Sequence, residues 1–165
     1  MIKDILAQFT GRRHGPLVQF IKYAIAGGVA TVVHISLFYL CAFKIFPALG
    51  ANDPLLRVLH ASAVSLSDAI RARNSTIDNV IAFLFSNLTA YLINIAWVFE
   101  SGRHNRIIEI GFFYLVSGIS MVIGSALMGF LIDRLGIATT LAFGTNILTA
   151  LVFNYVLRKF LIFKG

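Results

Sequence analysis

Hydrophobic residues form four long runs in this chain. The stretches 23–43, 79–99, 110–132 and 137–157 contain no Asp, Glu, Lys or Arg and are 21 to 23 residues long. A helix needs about 20 apolar residues to cross roughly 30 Å of hydrocarbon, and such runs are too long for barrel strands. The pattern predicts an all-α integral membrane protein, one transmembrane domain over 1–165 with spans over about 20–43, 79–99, 110–132 and 137–157.

Two segments outside these runs have a helical apolar pattern of their own. The N-terminal segment 1–15 places apolar residues on one face, which predicts an amphipathic helix in the membrane interface. The outer connection 44–78 is long, and Asp53 before Pro54 is a candidate N-cap. A second interfacial helix is predicted after this cap, with a disordered loop as the alternative. Its apolar stripe would consist of Leu55, Leu59, Leu66 and Ile70.

The two halves of the chain resemble each other. The stretch 91–99 aligns with 155–163, with Tyr and Phe at both ends, and 23–27 resembles 114–118. The third and fourth spans are joined only by residues 133–136, so they must be antiparallel neighbours. We therefore predict two helical hairpin repeats of the same orientation, related by an axis along the membrane normal.

Small residues are frequent in the third predicted span. Ser120 with Gly124 and Ser125 with Gly129 form two pairs that let helices approach closely. These pairs indicate either packing within one bundle or the seam of a homodimer.

Composition and charge agree with a membrane protein. Hydrophobic residues make up 58% of the chain and charged residues 13%, and the mean hydropathy is +0.85. Four spans put both termini on one side of the membrane. That side carries nine basic and three acidic residues, whereas the other side carries five basic and four acidic residues. The positive-inside rule then predicts a multi-pass inner-membrane protein with cytoplasmic termini. The net charge of +7 is thereby assigned to membrane lipids rather than to nucleic acid.

Three segments carry a family resemblance. The stretch 20–31, Phe-Ile-Lys-Tyr-Ala-Ile-Ala-Gly-Gly-Val-Ala-Thr, resembles the start of the GtrA-like family of small four-helix membrane proteins. The stretches 91–99 and 153–163 resemble the endings of that family's two hairpins. Two departures are Ile95-Ala96 in place of a basic pair, and His34 where many relatives have an acidic or polar residue.

The resemblance implies a function in cell-surface polysaccharide synthesis. Members are thought to flip a polyprenyl-phosphate-linked monosaccharide across the cytoplasmic membrane for a membrane glycosyltransferase on the far side. One alternative is a non-transporting partner subunit of such a glycosyltransferase. Another is a proton-coupled exporter of small solutes. Because four helices make a thin wall for a transport path, we expect a homodimer or larger homo-oligomer.

No predicted span contains a carboxylate, because Asp78 and Asp133 fall at span ends. This argues against the proton-coupled exporter, which needs a membrane acid. The chain has no evident acid pair, nucleophile triad or metal-ligand cluster, and Cys41 is its single cysteine. We therefore expect neither an enzyme nor a cofactor or metal site.

A lipid-linked sugar phosphate needs cations for the phosphate and polar side chains for the sugar. The candidates for phosphate binding are Lys22, Arg158 and Lys159. Snorkelling to the headgroups is the alternative explanation of their positions. The candidates for the sugar path are His34, Asn87, Tyr91, Asn94, Asn146, Asn154 and Tyr155. For these, hydrogen bonds between helices and an interfacial aromatic belt are the alternatives.

Overall fold

The computed structural model describes residues 15–98 and 106–157. Within these ranges the chain is helical, without strands. The helices are α1 (Pro16–Lys44), α2 (Pro54–Leu59), α3 (Asp68–Ile93), α4 (Arg106–Leu135) and α5 (Thr139–Leu157). A π-helical segment, Asn94–Val98, continues α3 directly. The predicted interfacial helix over 1–15 lies, apart from Gly15, outside the described residues.

Three helices in the described ranges are long and apolar enough to cross a membrane. They cover Leu17–Lys44, Asp68–Val98 and Phe113–Leu135. Large apolar side chains such as Val32, Val122 and Leu148 are exposed on the outside of the bundle, as lipid contact requires. The protein is therefore a helical membrane protein. That α5, with 19 residues, also crosses the membrane stays a prediction.

The long helices pack in chain order, α1 on α3, α3 on α4 and α4 on α5. The α4–α5 contact is the one that the short connection predicts. Gly136 adopts a φ of +62° in that connection, which glycine accepts without strain. We call the end of the bundle that holds 45–67 and this turn the loop end, and the opposite end the termini end. The hydrophobic core is concentrated at the loop end around Phe38, Met128, Ile132 and Phe143.

The connection after α1 differs from the prediction. Asp53 is an N-cap, as predicted, and its side chain accepts from the backbone N–H of Leu55 at 3.0 Å. The helix it caps ends at Leu59, however, and residues 61–67 are not helical. The predicted apolar stripe through Leu66 and Ile70 is therefore wrong, because Ile70 belongs to α3.

Helix α3 begins eleven residues before the predicted span. Ser67 caps it by accepting from the N–H of Ile70 at 3.4 Å, and Asp68 in the first turn suits the helix dipole. The helix accommodates the polar residues 74–76 through side-chain hydrogen bonds. Ser75 and Thr76 donate to the carbonyl oxygen of Ala72, and Asn74 donates to that of Pro47.

The early start of α3 places a carboxylate inside a membrane helix. Asp78 lies ten residues, about 15 Å, from the first residue of α3 and is fully buried. Neither of its carboxyl oxygens has a hydrogen-bond partner within the described part of the chain. The prediction that no span carries an acid was therefore wrong. Asp133, at the end of α4, is exposed.

The small residues of α4 face the inside of the bundle. Ser120, Gly124 and Ser125 are buried. A Cβ on Gly129 would lie 3.5 Å from the hydroxyl oxygen of Thr76 on α3. These residues let α4 approach α3 and α5 closely, so they provide packing within one bundle rather than a homodimer seam.

Candidate functional site

A polar cavity of about 240 Å³ lies at mid-height between the four long helices. Each helix contributes residues near the middle of its length, which places the cavity at the level of the bilayer centre. Of the fifteen described residues that line it, seven are apolar and eight are polar: Thr31, His34, Asn79, Ser86, Asn87, Ser117, Ser120 and Asn146. Polar groups at this depth are costly and mark functional sites by default.

Asn79 is the centre of a hydrogen-bond network in this wall. Its Oδ1 accepts from Asn146 Nδ2 at 2.8 Å and lies 2.9 Å from His34 Nε2. Its Nδ2 donates to the hydroxyl of Ser125 at 2.7 Å. One side chain of α3 thus joins α1, α4 and α5.

The network also orients the imidazole of His34. Because Asn79 Oδ1 is an acceptor, Nε2 of a neutral imidazole carries the proton. Nδ1 then faces the hydroxyl oxygen of Ser86 at 3.0 Å, and the single proton of that hydroxyl also lies within reach of the Phe83 carbonyl oxygen, at 3.2 Å. The His34 ring also stacks on Phe143, with centroids 5.7 Å apart. His34 is therefore a fixed part of the cavity wall.

Three residues of the wall keep unused hydrogen-bonding capacity. Asn87 Nδ2, Ser120 Oγ and Asn146 Oδ1 are buried and have no hydrogen-bond partner among the described residues. Their residues come from α3, α4 and α5 and all line the cavity. A buried polar atom without a partner is uncommon and costs about 1–3 kcal/mol. A ligand with several hydroxyl groups would satisfy such atoms.

The cavity is closed towards the loop end and reaches the surface at its side. Phe38 of α1 stacks on Phe143 of α5 with centroids 3.7 Å apart, and the core lies beyond them. Thr31, in contrast, lines the cavity and is itself exposed. An opening beside α1 suits a ligand whose polar head enters the protein while its apolar chain stays in lipid.

Lys22 lies on the same face of α1, nearer the termini end. Lys22, Ala26, Ala30 and His34 follow at intervals of four residues, so His34 is about 18 Å further along the helix. The Lys22 side chain is fully buried, and Nζ donates to the carbonyl oxygen of Trp97 at 3.4 Å. Nζ also lies 5.2 Å from the centroid of the indole ring. The π-helical segment that carries Trp97 thus holds a buried cation at the end of this face.

The sequence of the whole bundle matches a known family model. The model, described as GtrA/DPMS, transmembrane domain, covers residues 22–163. The chain belongs to the GtrA/DPMS transmembrane-domain family. This confirms the resemblance seen in the sequence. No curated protein and no solved structure matches the chain.

Three of the predicted sugar-path residues of this GtrA/DPMS domain meet in the cavity: His34, Asn87 and Asn146. Two others do not line it. Tyr91 is buried against Phe113, with ring centroids 5.9 Å apart, and Asn94 is buried at the start of the π-helical segment. The side chains of Asn154 and Tyr155 lie outside the described part, as do residues Arg158 and Lys159.

Sequence reasoning missed Asn79, Ser86 and Ser120. Asn79 was placed at the edge of a span, where a polar residue needs no explanation. Asn79, Ser86 and Asn87 are spaced at i, i+7 and i+8, which puts them on one helical face. This spacing could have indicated that they line a common polar site. Ser120 was read only as a small packing residue.

Gly124→Ala is expected to disturb this wall. A Cβ there would lie within clashing distance of Asn146 Oδ1 and 3.3 Å from the Asn146 carbonyl oxygen. We expect a loss of about 1–3 kcal/mol in unfolding free energy, because Asn146 must move off Asn79. Gly118→Ala, on the same helix, has no described atom within 4 Å of its Cβ and is the control. Thermal unfolding in detergent measures both, and equal melting temperatures would contradict the assigned packing.

Proposed function

We propose that this protein flips a polyprenyl-phosphate-linked monosaccharide across the membrane. Membership of the GtrA/DPMS transmembrane-domain family indicates a function related to polyprenyl-phosphate sugars at a membrane. The observation that carries the finer proposal is the polar cavity at mid-height, whose walls retain three unsatisfied polar atoms. A path for a sugar head group needs such a site at the level where lipid offers no hydrogen bonds.

The chemistry of the cavity wall fits a sugar better than an ion. Its polar groups are amides, hydroxyls and one imidazole, which donate to and accept from sugar hydroxyls. Among the described residues, no carboxylate, lysine or arginine lines it. The opening beside Thr31 leaves the polyprenyl chain in the bilayer while the head group passes.

The phosphate is assigned to the termini end. Lys22 lies there on the face of α1 that leads to the cavity, and a phosphodiester carries one negative charge. We propose that Arg158 and Lys159 add to this charge and that the termini end is cytoplasmic. In this proposal a membrane glycosyltransferase consumes the sugar lipid on the far side, which drives transport downhill, and the working unit is a homo-oligomer.

A second candidate function follows from the buried Asp78. A membrane carboxylate is the group that a proton-coupled exporter of small solutes requires, and Asp78 provides one. It does not line the polar cavity, which favours the flippase.

Asp78→Asn separates the two functions. We expect the variant to translocate lipid within about twofold of wild type, with or without an imposed pH gradient, because downhill flipping uses no membrane acid. The measurement is lipid accessibility in proteoliposomes at equal and unequal pH. Asp133→Asn, an exposed carboxylate at the end of α4, is the matched control. A gradient-dependent rate that vanishes in Asp78→Asn alone would establish the exporter instead.

The proposed function is tested directly by reconstitution. Proteoliposomes containing a polyprenyl-phosphate hexose in both leaflets are exposed to a membrane-impermeant enzyme that modifies the sugar. We expect about half of the lipid to react in protein-free vesicles and nearly all of it once the protein is present. If half stays protected in vesicles whose protein binds the lipid, the chain is a non-transporting partner subunit.

A further inference from the structure

A second polar pocket, of about 280 Å³, lies at the loop end. Three segments form it: the loop after α1, the start of α3 and the turn between α4 and α5. The residues that line this loop-end pocket include Ala51, Asn52, Asp53, Asp68, Arg71 and Gly136. Its volume is near the lower limit for small-molecule sites, which suits a single sugar ring.

Arg71 and Asp68 form an ion pair with one free atom on each partner. Nε and Nη2 of Arg71 both donate to Asp68 Oδ1, at 3.2 and 2.7 Å. Arg71 Nη1 and Asp68 Oδ2 have no hydrogen-bond partner within the described residues. Arg71 is only 6% exposed, so its guanidinium is held in place in the wall of the pocket. The pair thus leaves one donor atom and one acceptor atom without a partner in the described part of the chain, Nη1 near Gly50 and Oδ2 near Gly136.

Two glycines bring backbone against these two atoms. A Cβ on Gly50 would lie 2.7 Å from Arg71 Nη1. A Cβ on Gly136 would lie 3.2 Å from Asp68 Oδ2. Because neither position carries a side chain, the ion pair can lie against both turns without being displaced.

The charge of the pocket decides which ligand it suits. Two carboxylates, Asp53 and Asp68, accompany one guanidinium, so the pocket repels phosphate. Asp53 already accepts from Leu55 N and from the N–H and hydroxyl of Thr140, at 3.0, 2.9 and 2.6 Å. The guanidinium in turn opposes a metal cation. A neutral ligand with several hydroxyls can donate to Asp68 Oδ2 and accept from Arg71 Nη1.

We propose that the loop-end pocket binds the monosaccharide of the lipid through its hydroxyls, with the phosphate left outside at the membrane surface. The proposal rests on the proposed function only for the identity of the sugar lipid. In this proposal the pocket holds the sugar head group after crossing and presents it to the glycosyltransferase on the far side. The termini end then recognises the phosphate before crossing, and the loop end recognises the sugar after crossing.

The test is protection of a cysteine in nanodiscs, where both membrane faces are open and binding needs no translocation. Ala51→Cys places a thiol on the exposed wall of the pocket, and Ser62→Cys places one on the exposed loop beside it. The wild type is the blank, because its single cysteine, Cys41, is buried. The probes are polyprenyl-phosphate hexose and polyprenyl phosphate without sugar.

We expect the sugar lipid to slow maleimide labelling of Ala51→Cys at least fivefold and to leave Ser62→Cys unchanged. Polyprenyl phosphate alone should slow the labelling of neither variant. Adding Asp68→Asn to the Ala51→Cys protein should abolish the protection by the sugar lipid, whereas adding Asp133→Asn should not. Equal protection by the sugar-free lipid, or none by either lipid, would overturn the proposal. Protection without translocation in proteoliposomes would refute the flippase and leave the pocket standing. Translocation without protection would refute the pocket and leave the flippase standing.

Discussion

Replacement of Lys22 by methionine is expected to lower lipid translocation more than tenfold while leaving the fold intact. Lys22 is fully buried in a membrane helix, where an ammonium is costly to hold. Methionine fills a similar volume without charge, so it keeps the apolar packing of this face of α1 while removing the ammonium group. A lysine that only fills space should therefore be replaceable by methionine, whereas a lysine that receives a phosphate should not.

The measurement pairs a melting temperature with a translocation rate. Lys44→Met is the control, because Lys44 lies exposed at the other end of the same helix and should change neither quantity. A Lys22→Met protein that flips lipid at the wild-type rate would remove Lys22 from the site. A variant that melts far below wild type would assign Lys22 to structure through its contacts with Trp97.

Asn79→Ala is expected to weaken both stability and transport. The substitution removes the partner of His34, Asn146 and Ser125 at once. Hydrogen bonds between membrane helices contribute about 0.6–1.7 kcal/mol each, so we expect the loss of three to lower the unfolding free energy by roughly 2–5 kcal/mol. Transport should fall as well, because the cavity wall loses the group that fixes His34 and Asn146.

Thr89→Ala is the matched control for Asn79→Ala. Thr89 lies on the same helix, but its hydroxyl donates only to the carbonyl oxygen of Phe85 at 2.9 Å. Its loss should change the unfolding free energy by less than about 0.5 kcal/mol. If both variants unfold alike, the network around Asn79 does not hold the helices together.

The sequence predicted the structure best in the segments whose residue types are restricted by the lipid bilayer. Uncharged runs identified three helices that are apolar enough to cross, and the short α4–α5 connection identified neighbouring helices. His34, Asn87 and Asn146 could be chosen because a polar side chain within a span turns towards the interior. Their convergence on one cavity depends on how four helices rotate about their axes, which a single helix does not determine.

The errors arose at the loop end, where lipid constrains the chain least. Charged residues such as Arg71 looked too polar for a membrane helix, so the span was begun at Asn79. The tertiary structure pairs Arg71 with Asp68 and gives Asn74 a partner in Pro47, which extends α3 back to residue 68. Both the buried Asp78 and the loop-end pocket follow from that extension, and neither was visible in the hydrophobic pattern.

The central claim is that the sugar crosses through the mid-height cavity, and blocking the cavity tests it most directly. Ser120→Leu places an apolar side chain at a buried position of the cavity wall, and Ala126→Leu makes a similar change on the exposed face of the same helix. The measurement is the accessible fraction of polyprenyl-phosphate hexose in proteoliposomes over time. We predict the protein-free rate for Ser120→Leu and the wild-type rate for Ala126→Leu. Wild-type translocation by a folded Ser120→Leu protein would contradict the claim.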